Sequence, residues 1–329
     1  MNDKGNVLVL TKDEIESVIT IEDAIAAVEE GFKAYNSGKT VTPFPVALQI
    51  PDHKGDIHIK PGYIMGNDTY CVKIASGFYE KPVPSIHGML LLFDSRTGDP
   101  LCFEVDRGYI TDLRTAAAGA VAARALAKKK VKRVAVIGTG TQARFQMQAL
   151  AKVREFDELR VWGRDPKKVE KYVQDMSKLL KAKIVPAGNP KEAVAGADIV
   201  VTTTMSTIPV LKGKWIGKGT HITAMGSDSP EKQELGTDLL RMADKVVCDS
   251  VKQCSILGEV HHALEDGTMK ESDVYAELGE VLLGKKRGRE SDDEITVCDL
   301  TGLAVQDVVT AQIVYERAVK KGMGSHIAV

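Results

Sequence analysis

A glycine-containing turn between a strand and a helix constrains the fold of this chain more than any other feature. An apolar, β-branched run at residues 134–137 leads into Gly138-Thr139-Gly140-Thr141-Gln142-Ala143, and a helical segment follows. The two glycines allow a tight turn and close approach of a pyrophosphate, and the helix start offers free N–H groups to phosphates. A second strand begins about 20 residues later, as in dinucleotide-binding units. This context favours such a unit over a glycine turn in another α/β protein.

Length, charge and termini limit the class of protein. The chain has 329 residues, which favours two domains over one. Its 44 basic and 45 acidic residues are spread along the sequence, without the basic stripe of nucleic-acid-binding proteins. The first residues carry no apolar signal segment, and no apolar run approaches the ~18 residues of a membrane span. We expect a soluble, cytoplasmic enzyme with neither a nucleic-acid nor a membrane partner.

The cysteines and histidines predict neither disulfides nor a metal site. The cysteines are odd in number and lack C-x-x-C spacing, which favours reduced, buried thiols. The histidines, including the pair His261-His262, show no metal-ligand spacing. The five cysteines are Cys71, Cys102, Cys248, Cys254 and Cys298.

The first third of the chain alternates apolar and polar residues in the manner of strands. A capping box at Thr11 and Glu14 and a helix over residues 21–35 precede this region. An alanine-rich helix over residues 113–129 follows it. We expect an antiparallel sheet or barrel-like unit, with strands at residues 46–50, 56–60, 71–75, 89–93 and 101–105.

Strands and helices alternate from residue 131 to about 250, which is typical of a parallel sheet with helices on both faces. The strands are predicted at residues 134–137, 159–162, 183–185, 199–202, 221–224 and 245–248. A strand at 294–299 and a helix at 303–320 are candidates to return to the first domain. The predicted class is α/β, with an antiparallel β-rich domain over 1–115 and 306–329 and a Rossmann dinucleotide-binding domain over 116–305.

Several stretches spread along the whole chain carry a more specific signal. They are residues 72–74, 111–117, 137–143, 226–230, 232–235, 288–292, 296–299 and 323–325. With them the chain resembles the ornithine cyclodeaminase/μ-crystallin family, which includes archaeal-type alanine dehydrogenase, ketimine reductases and lysine cyclodeaminase. The resemblance implies a homodimer, a nicotinamide cofactor, and amino acids or their imines as substrates. It makes the N-terminal domain the substrate-binding and dimerisation domain.

The resemblance assigns catalysis to Lys73, Arg114 and Asp228. An ammonium and a guanidinium can bind a substrate carboxylate, and Lys73 can also polarise or protonate an imine. Asp228 follows a Rossmann strand and can hold the substrate nitrogen and move protons. Read without the resemblance, the three residues also fit a solvated strand face, a salt bridge at a helix start and a helix cap.

The sequence departs from the family in the strands before Lys73. Relatives carry a basic carboxylate anchor near Pro45-Val46, where this chain has none. His58 and Lys60 point to one face by strand alternation, so that Lys60 could replace the anchor. Relatives have Glu or Arg at the place of His58, and the absence of Glu argues against ornithine cyclodeamination. The pattern resembles the ectoine-utilisation branch; the alternative is that both residues lie on a solvated face.

The end of the second Rossmann strand bears on the cofactor. Gly163 occupies the position where NAD-selective domains place an acid, and Arg164 and Lys168 can neutralise a 2′-phosphate. Asp165 is expected to cap a helix that begins near Pro166. NADP(H) is therefore favoured, NAD(H) stays open, and NADPH would favour the reducing direction.

Further contacts to the cofactor follow from the resemblance. The threonines at the end of the strand 199–202 also fit simple β-propensity, and Thr301-Gly302 approaches the nicotinamide in relatives. The remaining residues assigned to the cofactor are Ser85, Thr115, Thr203, Ser227 and Lys232.

The predicted activity is NAD(P)-dependent reduction of an α-imino acid to an L-amino acid, or the reverse dehydrogenation. Two alternatives stay open. One is a redox-neutral ornithine or lysine cyclodeaminase that recycles NAD. The other is a μ-crystallin-like protein that binds a small ligand.

Overall fold

Two sheets organise the part of the chain that the computed structural model describes, residues 5–78 and 85–328. The strands of the first sheet that precede residue 110 are β1 (Asn6–Thr11), β2 (Thr40–Val41), β3 (Val46–Ile50), β4 (Gly55–Ile64), β5 (Thr69–Phe78), β6 (Ser85–Asp94) and β7 (Pro100–Val105). The later strands are β8 (Arg133–Ile137), β9 (Glu158–Trp162), β10 (Lys183–Pro186), β11 (Ile199–Thr202), β12 (His221–Ala224), β13 (Lys245–Cys248), β14 (Ala276–Glu277), β15 (Thr296–Asp299) and β16 (Ser325–Ala328).

The helices begin largely where the sequence offers caps. The box predicted at Thr11 is present, since both its N–H and its hydroxyl donate to the Glu14 carboxylate, at 2.8 and 2.7 Å. The helices are α1 (Lys12–Glu16), α2 (Ile21–Asn36), α3 (Tyr109–Leu126), α4 (Thr141–Leu150), α5 (Pro166–Met176), α6 (Pro190–Val194), α7 (Thr237–Met242), α8 (Val251–Cys254), α9 (Gly258–Glu265), α10 (Leu278–Leu282) and α11 (Ala304–Lys321).

The chain divides into two compact units. The first unit consists of residues 1–114 and 303–329, and the second of residues 115–302. Helix α3 therefore begins in the first unit and ends in the second.

The sheet of the first unit has the order β16-β1-β7-β6-β5-β4-β2, and β3 also pairs with β4, on the side away from β5. Strands β4, β5, β6 and β7 form an antiparallel meander, as the alternation predicted. One pair departs from that pattern, because β1 runs parallel to β7. Two strands so far apart in sequence are not joined by a hairpin, so nothing local requires them to run in opposite directions.

Helix α11 lies close against the middle of this sheet. A Cβ on Gly62 of β4 would stand 2.9 Å from the Val308 side chain and 3.0 Å from the Ala304 Cβ. On the other side, a Cβ on Gly31 of α2 would stand 3.3 Å from the Val305 carbonyl oxygen. The two glycines therefore let α11 pack closely between β4 and α2, and they fix where its side chains meet the sheet.

The second unit is a Rossmann fold. Its strands are parallel and have the order β10-β9-β8-β11-β12-β15-β13-β14, with apolar cores on both faces. The order reverses between β8 and β11, which is where open parallel sheets bind ligands. The turn that follows β8 is the glycine-containing turn of the sequence.

The strand predicted at residues 294–299 belongs to the sheet of the second unit. Strand β15 lies between β12 and β13, parallel to both, with Asp299 aligned to Ala224 and to Cys248. Only the helix that follows it, α11, belongs to the first unit. The sequence left open which sheet this strand would join, because strand order in a parallel sheet depends on long-range pairing rather than on local pattern.

Two arginines fix the end of α3 in the second unit. Arg154 donates from Nη2 to the carbonyl oxygen of Arg124 at 2.8 Å, and Arg289 donates from Nε to that of Leu126 at 2.7 Å. Carbonyls in the last turn of a helix lack intrahelical partners, and cations there also complement its dipole.

The five cysteines are free and buried, as predicted. Across residues 5–78 and 85–328, no helix has the length and apolar character needed to cross a membrane.

Candidate active site

The glycine-containing turn has the geometry that a pyrophosphate needs. Gly138 has a φ of 126°, and a Cβ there would stand 2.3 Å from the Thr203 hydroxyl, so that only glycine fits. Gly140 precedes α4 as its N-cap, and within the described residues no atom lies within 4 Å of the place where its Cβ would be. The α4 start is thus open to an anion, which the N–H groups of Thr141, Gln142 and Ala143 would favour.

Arg144 holds the turn from the side of the helix. Its guanidinium donates to the carbonyl oxygens of Thr139 and Gly140, the latter at 3.2 Å, and to the Asp175 carboxylate at 3.0 Å. It also lies over the Tyr172 ring, 5.0 Å from the ring centroid. These contacts fix the carbonyls of the turn and leave its amides for a ligand.

The absence of a Cβ at Gly163 leaves space for the side chain of Thr139. A Cβ at this position would stand 2.8 Å from Thr139 Cγ2 and 3.4 Å from Val169 Cγ2. The space next to Gly163 is therefore filled by Thr139, rather than left for a 2′-phosphate as the sequence suggested. Arg164 and Lys168 are exposed and make no hydrogen bond or ion pair with the residues that the structure describes. Asp165 caps α5 by accepting the Lys167 N–H at 2.9 Å, as predicted.

Lys73 and Arg114 meet in the first unit on a residue that sequence reasoning missed, Asp307 of α11. The Lys73 ammonium lies 3.0 Å from both Asp307 carboxylate oxygens, and Arg114 Nε lies 3.0 Å from Oδ1. Arg114 Nη1 also donates to Gln306 Oε1 at 2.7 Å. All four residues are buried, and Lys73 is 1 % exposed. Lys73 thus does not lie on a solvated strand face.

Burial and the positive charge of Arg114 lower the pKa of Lys73. Desolvation first, and the neighbouring Arg114 second, lower the pKa of Lys73 from 10.5 to about 7, although Asp307 opposes both. Burial works to raise the pKa of Asp307, but Lys73 and Arg114 outweigh it, and this pKa lies below its usual value. The group therefore combines an ionised carboxylate with a lysine that titrates near neutrality.

Lys60 is buried and stands directly opposite Lys73 across the β4–β5 pair. Its charge contributes to lowering the pKa of both Lys73 and Asp307. The solvated-face alternative is therefore wrong for Lys60. His58, two residues earlier, is partly buried, and its Nε2 lies 3.6 Å from the Asp56 carboxylate.

Asp228 lies in the loop after β12, half exposed, and Lys232 donates to it at 2.6 Å. The next helix, α7, has Gly236 as its N-cap, so Asp228 does not cap a helix. The Ser227 hydroxyl donates to the Lys232 carbonyl oxygen. Ser227 and Lys232, which are two of the residues assigned to the cofactor, thus stabilise the loop that carries Asp228.

A buried carboxylate joins this loop to the one after β11. Glu234 accepts the Gly226 N–H at 2.8 Å and the Thr204 N–H at 2.5 Å. A Cβ on Gly226 would stand 2.2 Å from the Thr204 carbonyl oxygen, so glycine is required for this approach. Burial raises the pKa of Glu234 above its usual value.

Two further buried carboxyls continue this arrangement. Glu259 accepts the N–H groups of Glu234 and Leu235, each at 2.9 Å. Asp299, at the end of β15, accepts those of Glu259 and Val260, also at 2.9 Å. The carboxyl series Glu234, Glu259 and Asp299 thus connects the loops after β11 and β12 to the start of α9.

The other residues assigned to the cofactor lie at loop and helix positions of the second unit. Thr203 follows β11, and its hydroxyl donates to the Ile137 carbonyl oxygen at 3.2 Å. The Thr115 carbonyl oxygen accepts from the buried Gln146 at 3.0 Å. Thr301 and Gly302 both donate to Asp249, at 3.1 and 2.6 Å. The side chain of Ser85 lies outside the described residues.

The paired histidines lie on α9 with Glu265. His261 Nε2 is 3.8 Å from the Glu265 carboxylate, and His262 Nε2 is 2.8 Å from the Lys232 carbonyl oxygen. The potential ligand atoms of the three residues all lie within 4.8 Å of one another. Because His262 Nε2 contacts a backbone carbonyl oxygen and the Glu265 side chain is exposed, we assign no metal to these residues.

Sequence reasoning missed Asp307, Glu234 and Arg144. A signal was present for Asp307, since helical spacing puts it on the apolar stripe of α11 with Ala304 and Ala311. A carboxylate on such a stripe needs a cationic partner. Glu234 and Arg144 bind backbone groups, and such contacts leave no trace in a spacing pattern.

Comparison with known proteins finds similar chains over nearly the whole sequence. Residues 6–322 match the model of the ornithine cyclodeaminase/mu-crystallin family. The alanine dehydrogenase of Archaeoglobus fulgidus is 41 % identical over 324 residues, which is 97 % of this chain and 98 % of that protein.

Two solved structures superpose over nearly the whole chain. The Δ1-pyrroline-2-carboxylate reductase of Thermococcus litoralis, in complex with NADH and L-proline, has a TM-score of 0.93 and 34 % identity over 98 % of this chain and all of that one. A dimeric archaeal alanine dehydrogenase with bound NAD has a TM-score of 0.92 and 39 % identity over 98 % of this chain and 99 % of that one. The chain belongs to the ornithine cyclodeaminase/mu-crystallin family.

Proposed function

We propose that this protein is a nicotinamide-dependent oxidoreductase that reduces an α-imino acid to an L-amino acid and catalyses the reverse dehydrogenation. The observation that carries the proposal is the convergence of Lys73 and Arg114 on one buried carboxylate in the first unit. Two cations held together in this way match a substrate carboxylate. The relatives named reductase and dehydrogenase act on substrates of this class.

The substrate carboxylate would bind to Arg114 and Lys73, with Lys60 as an additional cation. Lys73 is suited to a second task, because a lysine whose pKa is about 7 can both give and take a proton at neutral pH. Its ammonium form would bind the carboxylate and polarise the imine. His58, near Lys60 on the same strand, would contribute to the wall of the substrate site.

Asp228 would hold the substrate nitrogen. Its carboxylate is half exposed and is paired with Lys232. It would protonate the imine nitrogen in the reducing direction and accept a proton in the oxidising direction. Glu234, through the Gly226 N–H, supports the loop in which Asp228 lies.

The second unit would hold the cofactor. The turn from Gly138 to Ala143 fits a pyrophosphate, because Gly140 leaves the start of α4 open and Arg144 occupies the carbonyls of the turn. A bound nicotinamide supplies or accepts the hydride at the α-carbon. Thr115, Thr203 and Ser227 would line its path, and the same holds for Ser85 and Lys232 by the family resemblance.

NADP(H) would be preferred over NAD(H). No acid stands at the end of β9 to bind a ribose 2′-hydroxyl, since Gly163 and Arg164 follow Trp162 directly. Arg164 and Lys168 are exposed and can pair with a 2′-phosphate. Two relatives were solved with NADH or NAD bound, so a cofactor titration can also give a preference for NAD(H).

The first unit would also form a homodimer. Its strands β2 and β3 and their flanking turns expose several large apolar side chains, which is the surface character of a protein interface. These side chains are Val41, Phe44, Val46, Leu48 and Met65. The archaeal alanine dehydrogenase relative is a dimer.

Fluorescence titration with NADPH and NADH, followed by cofactor oxidation in the presence of imines, tests the proposal. The imines would be cyclic ketimines, and mixtures of pyruvate, glyoxylate or oxaloacetate with ammonia or methylamine. We expect turnover with NADPH, and loss of turnover with retained cofactor binding in Asp228→Asn. Ammonia release from ornithine without net cofactor oxidation would instead establish a cyclodeaminase. Cofactor binding without any turnover would leave a ligand-binding protein.

A further inference from the structure

A single carboxylate stands between the two cations assigned to the substrate. Asp307 contacts Lys73 Nζ and Arg114 Nε, each at 3.0 Å, and its side chain is 1 % exposed. Lys73 comes from β5, Arg114 from the first turns of α3, and Asp307 from α11. Three elements far apart in sequence thus meet at one carboxyl group.

The position of Asp307 is fixed by packing on both sides of α11. Ala304, one turn before it, and Val308, next to it, touch β4 where Gly62 lacks a Cβ. Val305 touches α2 where Gly31 lacks one. Because neither close approach tolerates a shift of the helix, the Asp307 carboxylate has a defined place above β5.

We propose that Asp307 is a positioning residue for the imine reductase reaction: it orients the Lys73 ammonium and the Arg114 guanidinium toward one substrate carboxylate and keeps Lys73 charged. The inference rests on the proposed function. Asp307 itself would not touch the reacting atoms, because its side chain is buried behind the two cations that contact it.

Electrostatics explains why Lys73 needs a fixed counter-charge. Two buried cations without a carboxylate would repel each other, and the lysine, unlike the arginine, can relieve this by losing its proton. Asp307 is the group that opposes burial and Arg114 in setting the pKa of Lys73 at about 7. Among the described residues, the titratable and charged groups that face or surround Lys73 are Lys60, Cys71, Glu104, Asp106, Arg114 and Asp307.

The direct test is the titration of Lys73 in protein labelled with 13C at lysine Cε, with the resonance assigned by its loss in Lys73→Arg. In Asp307→Asn the midpoint should fall by about one pH unit or more, because an opposite charge at contact distance has been removed. The matched control is Asp23→Asn, which removes an aspartate paired to Arg317 at the far end of the same helix. The Lys73 midpoint should not move in that variant.

Kinetics give the second measurement. A midpoint lower by one unit reduces the ammonium fraction at pH 7 about fivefold, so KM for the imino acid should rise at least about fivefold in Asp307→Asn. The alkaline limb of kcat/KM should shift to lower pH by the same amount as the midpoint. Asp307→Glu keeps the charge and should restore the pH profile of the parent, although its longer side chain disturbs the geometry and lowers kcat/KM.

The outcomes separate this inference from the proposed function. An unchanged Lys73 midpoint in folded Asp307→Asn overturns the inference, whatever the substrate. A shifted midpoint without turnover on any imine supports the inference and overturns the proposed function. If Asp307→Asn does not fold, the comparison of Arg114→Gln with Arg114→Gln/Asp307→Asn decides, because the two variants differ only in the Asp307 charge. The midpoint should be lower in the double variant by about one pH unit or more, and equal midpoints overturn the inference.

Discussion

Asp307 of the first unit and the pair Glu259 and Asp299 of the second are buried in opposite electrostatic states. In the first unit Asp307 is neutralised by Lys73 and Arg114, and its pKa lies below the usual value despite burial. In the second unit Glu259 and Asp299 accept backbone N–H groups, and burial raises the pKa of both. One arrangement concentrates charge, and the other favours the protonated, neutral form.

The difference in charge between these buried carboxyl groups indicates a different role for each. Buried ion pairs are poor sources of stability, because the desolvation of two charges offsets their attraction. Their retention in the first unit fits ligand binding, where a substrate carboxylate completes the charge balance. Backbone amides held by a carboxyl group define the path of a loop without creating a charge to be matched. The buried carboxyls Glu259 and Asp299 therefore stabilise the loops that carry Asp228 and the residues assigned to the cofactor.

The largest expected effect follows from removing the positive charge of Lys73 from its ion pair with Asp307. Lys73→Met keeps the size of the side chain but removes its charge and leaves Asp307 with Arg114 alone. We expect kcat/KM for the imino acid to fall about 10³-fold, equivalent to about 4 kcal/mol of transition-state stabilisation. Steady-state kinetics over a range of imino acid concentrations measures it.

Lys33→Met is the matched control for that experiment. Lys33 lies on α2 in the same unit and pairs with Glu29 and Glu30 at the surface. Its replacement should leave kcat/KM unchanged. Cofactor titration should give the same affinity for both variants and the parent, and a kcat/KM for Lys73→Met within a factor of ten of the parent would contradict the role assigned to Lys73.

The second largest expected effect follows from removing the Glu259 carboxyl group in the second unit. Glu259→Ala leaves the N–H groups of Glu234 and Leu235 without their acceptor, so the free energy of unfolding should fall by about 2–4 kcal/mol. Urea unfolding measures the change. Glu265→Ala, on the exposed side of the same helix, should lie within about 0.5 kcal/mol of the parent. Equal losses in the two variants would show that the amide contacts of Glu259 contribute little.

Local pattern predicted the parts of the fold that local pattern controls. The strands from β8 to β13, the turn at Gly138 and the Asp165 cap depend on neighbouring residues, and each is found near its predicted place. The position of β15 between β12 and β13 was not predictable, because two strands of similar apolar character compete for each place in a parallel sheet.

The candidate site follows the same division. Lys73 and Arg114 were identified only through the family resemblance, since a lysine on a strand and an arginine on a helix have no distinctive spacing of their own. Asp307 lies 234 residues from its partner Lys73. Its place on the apolar stripe of α11 indicated a buried partner, but no sequence pattern could say which cation would meet it.

The smallest expected effect is the pH dependence that the second arrangement gives to stability. Burial is the main cause that raises the pKa of Asp299 from 3.8 to about 8. Between these pH values the folded protein holds a proton that the unfolded chain has lost. The contribution of Asp299 is therefore fully present below about pH 4 and is lost as the pH rises toward 8.

Asp299→Asn isolates this contribution. Both N–H groups donate to Oδ2, and among the described residues Oδ1 has no hydrogen-bond partner, so an asparagine can imitate the protonated acid. From pH 5 to 7 the free energy of unfolding of the parent, relative to this variant, should fall by about 2–3 kcal/mol. In Asp23→Asn the difference should be constant, since Arg317 lowers the pKa of Asp23 and both states are ionised above pH 5. A constant difference for Asp299→Asn as well would mean that Asp299 is ionised in the folded protein, and Asp307 and Asp299 would then be buried in the same charged form.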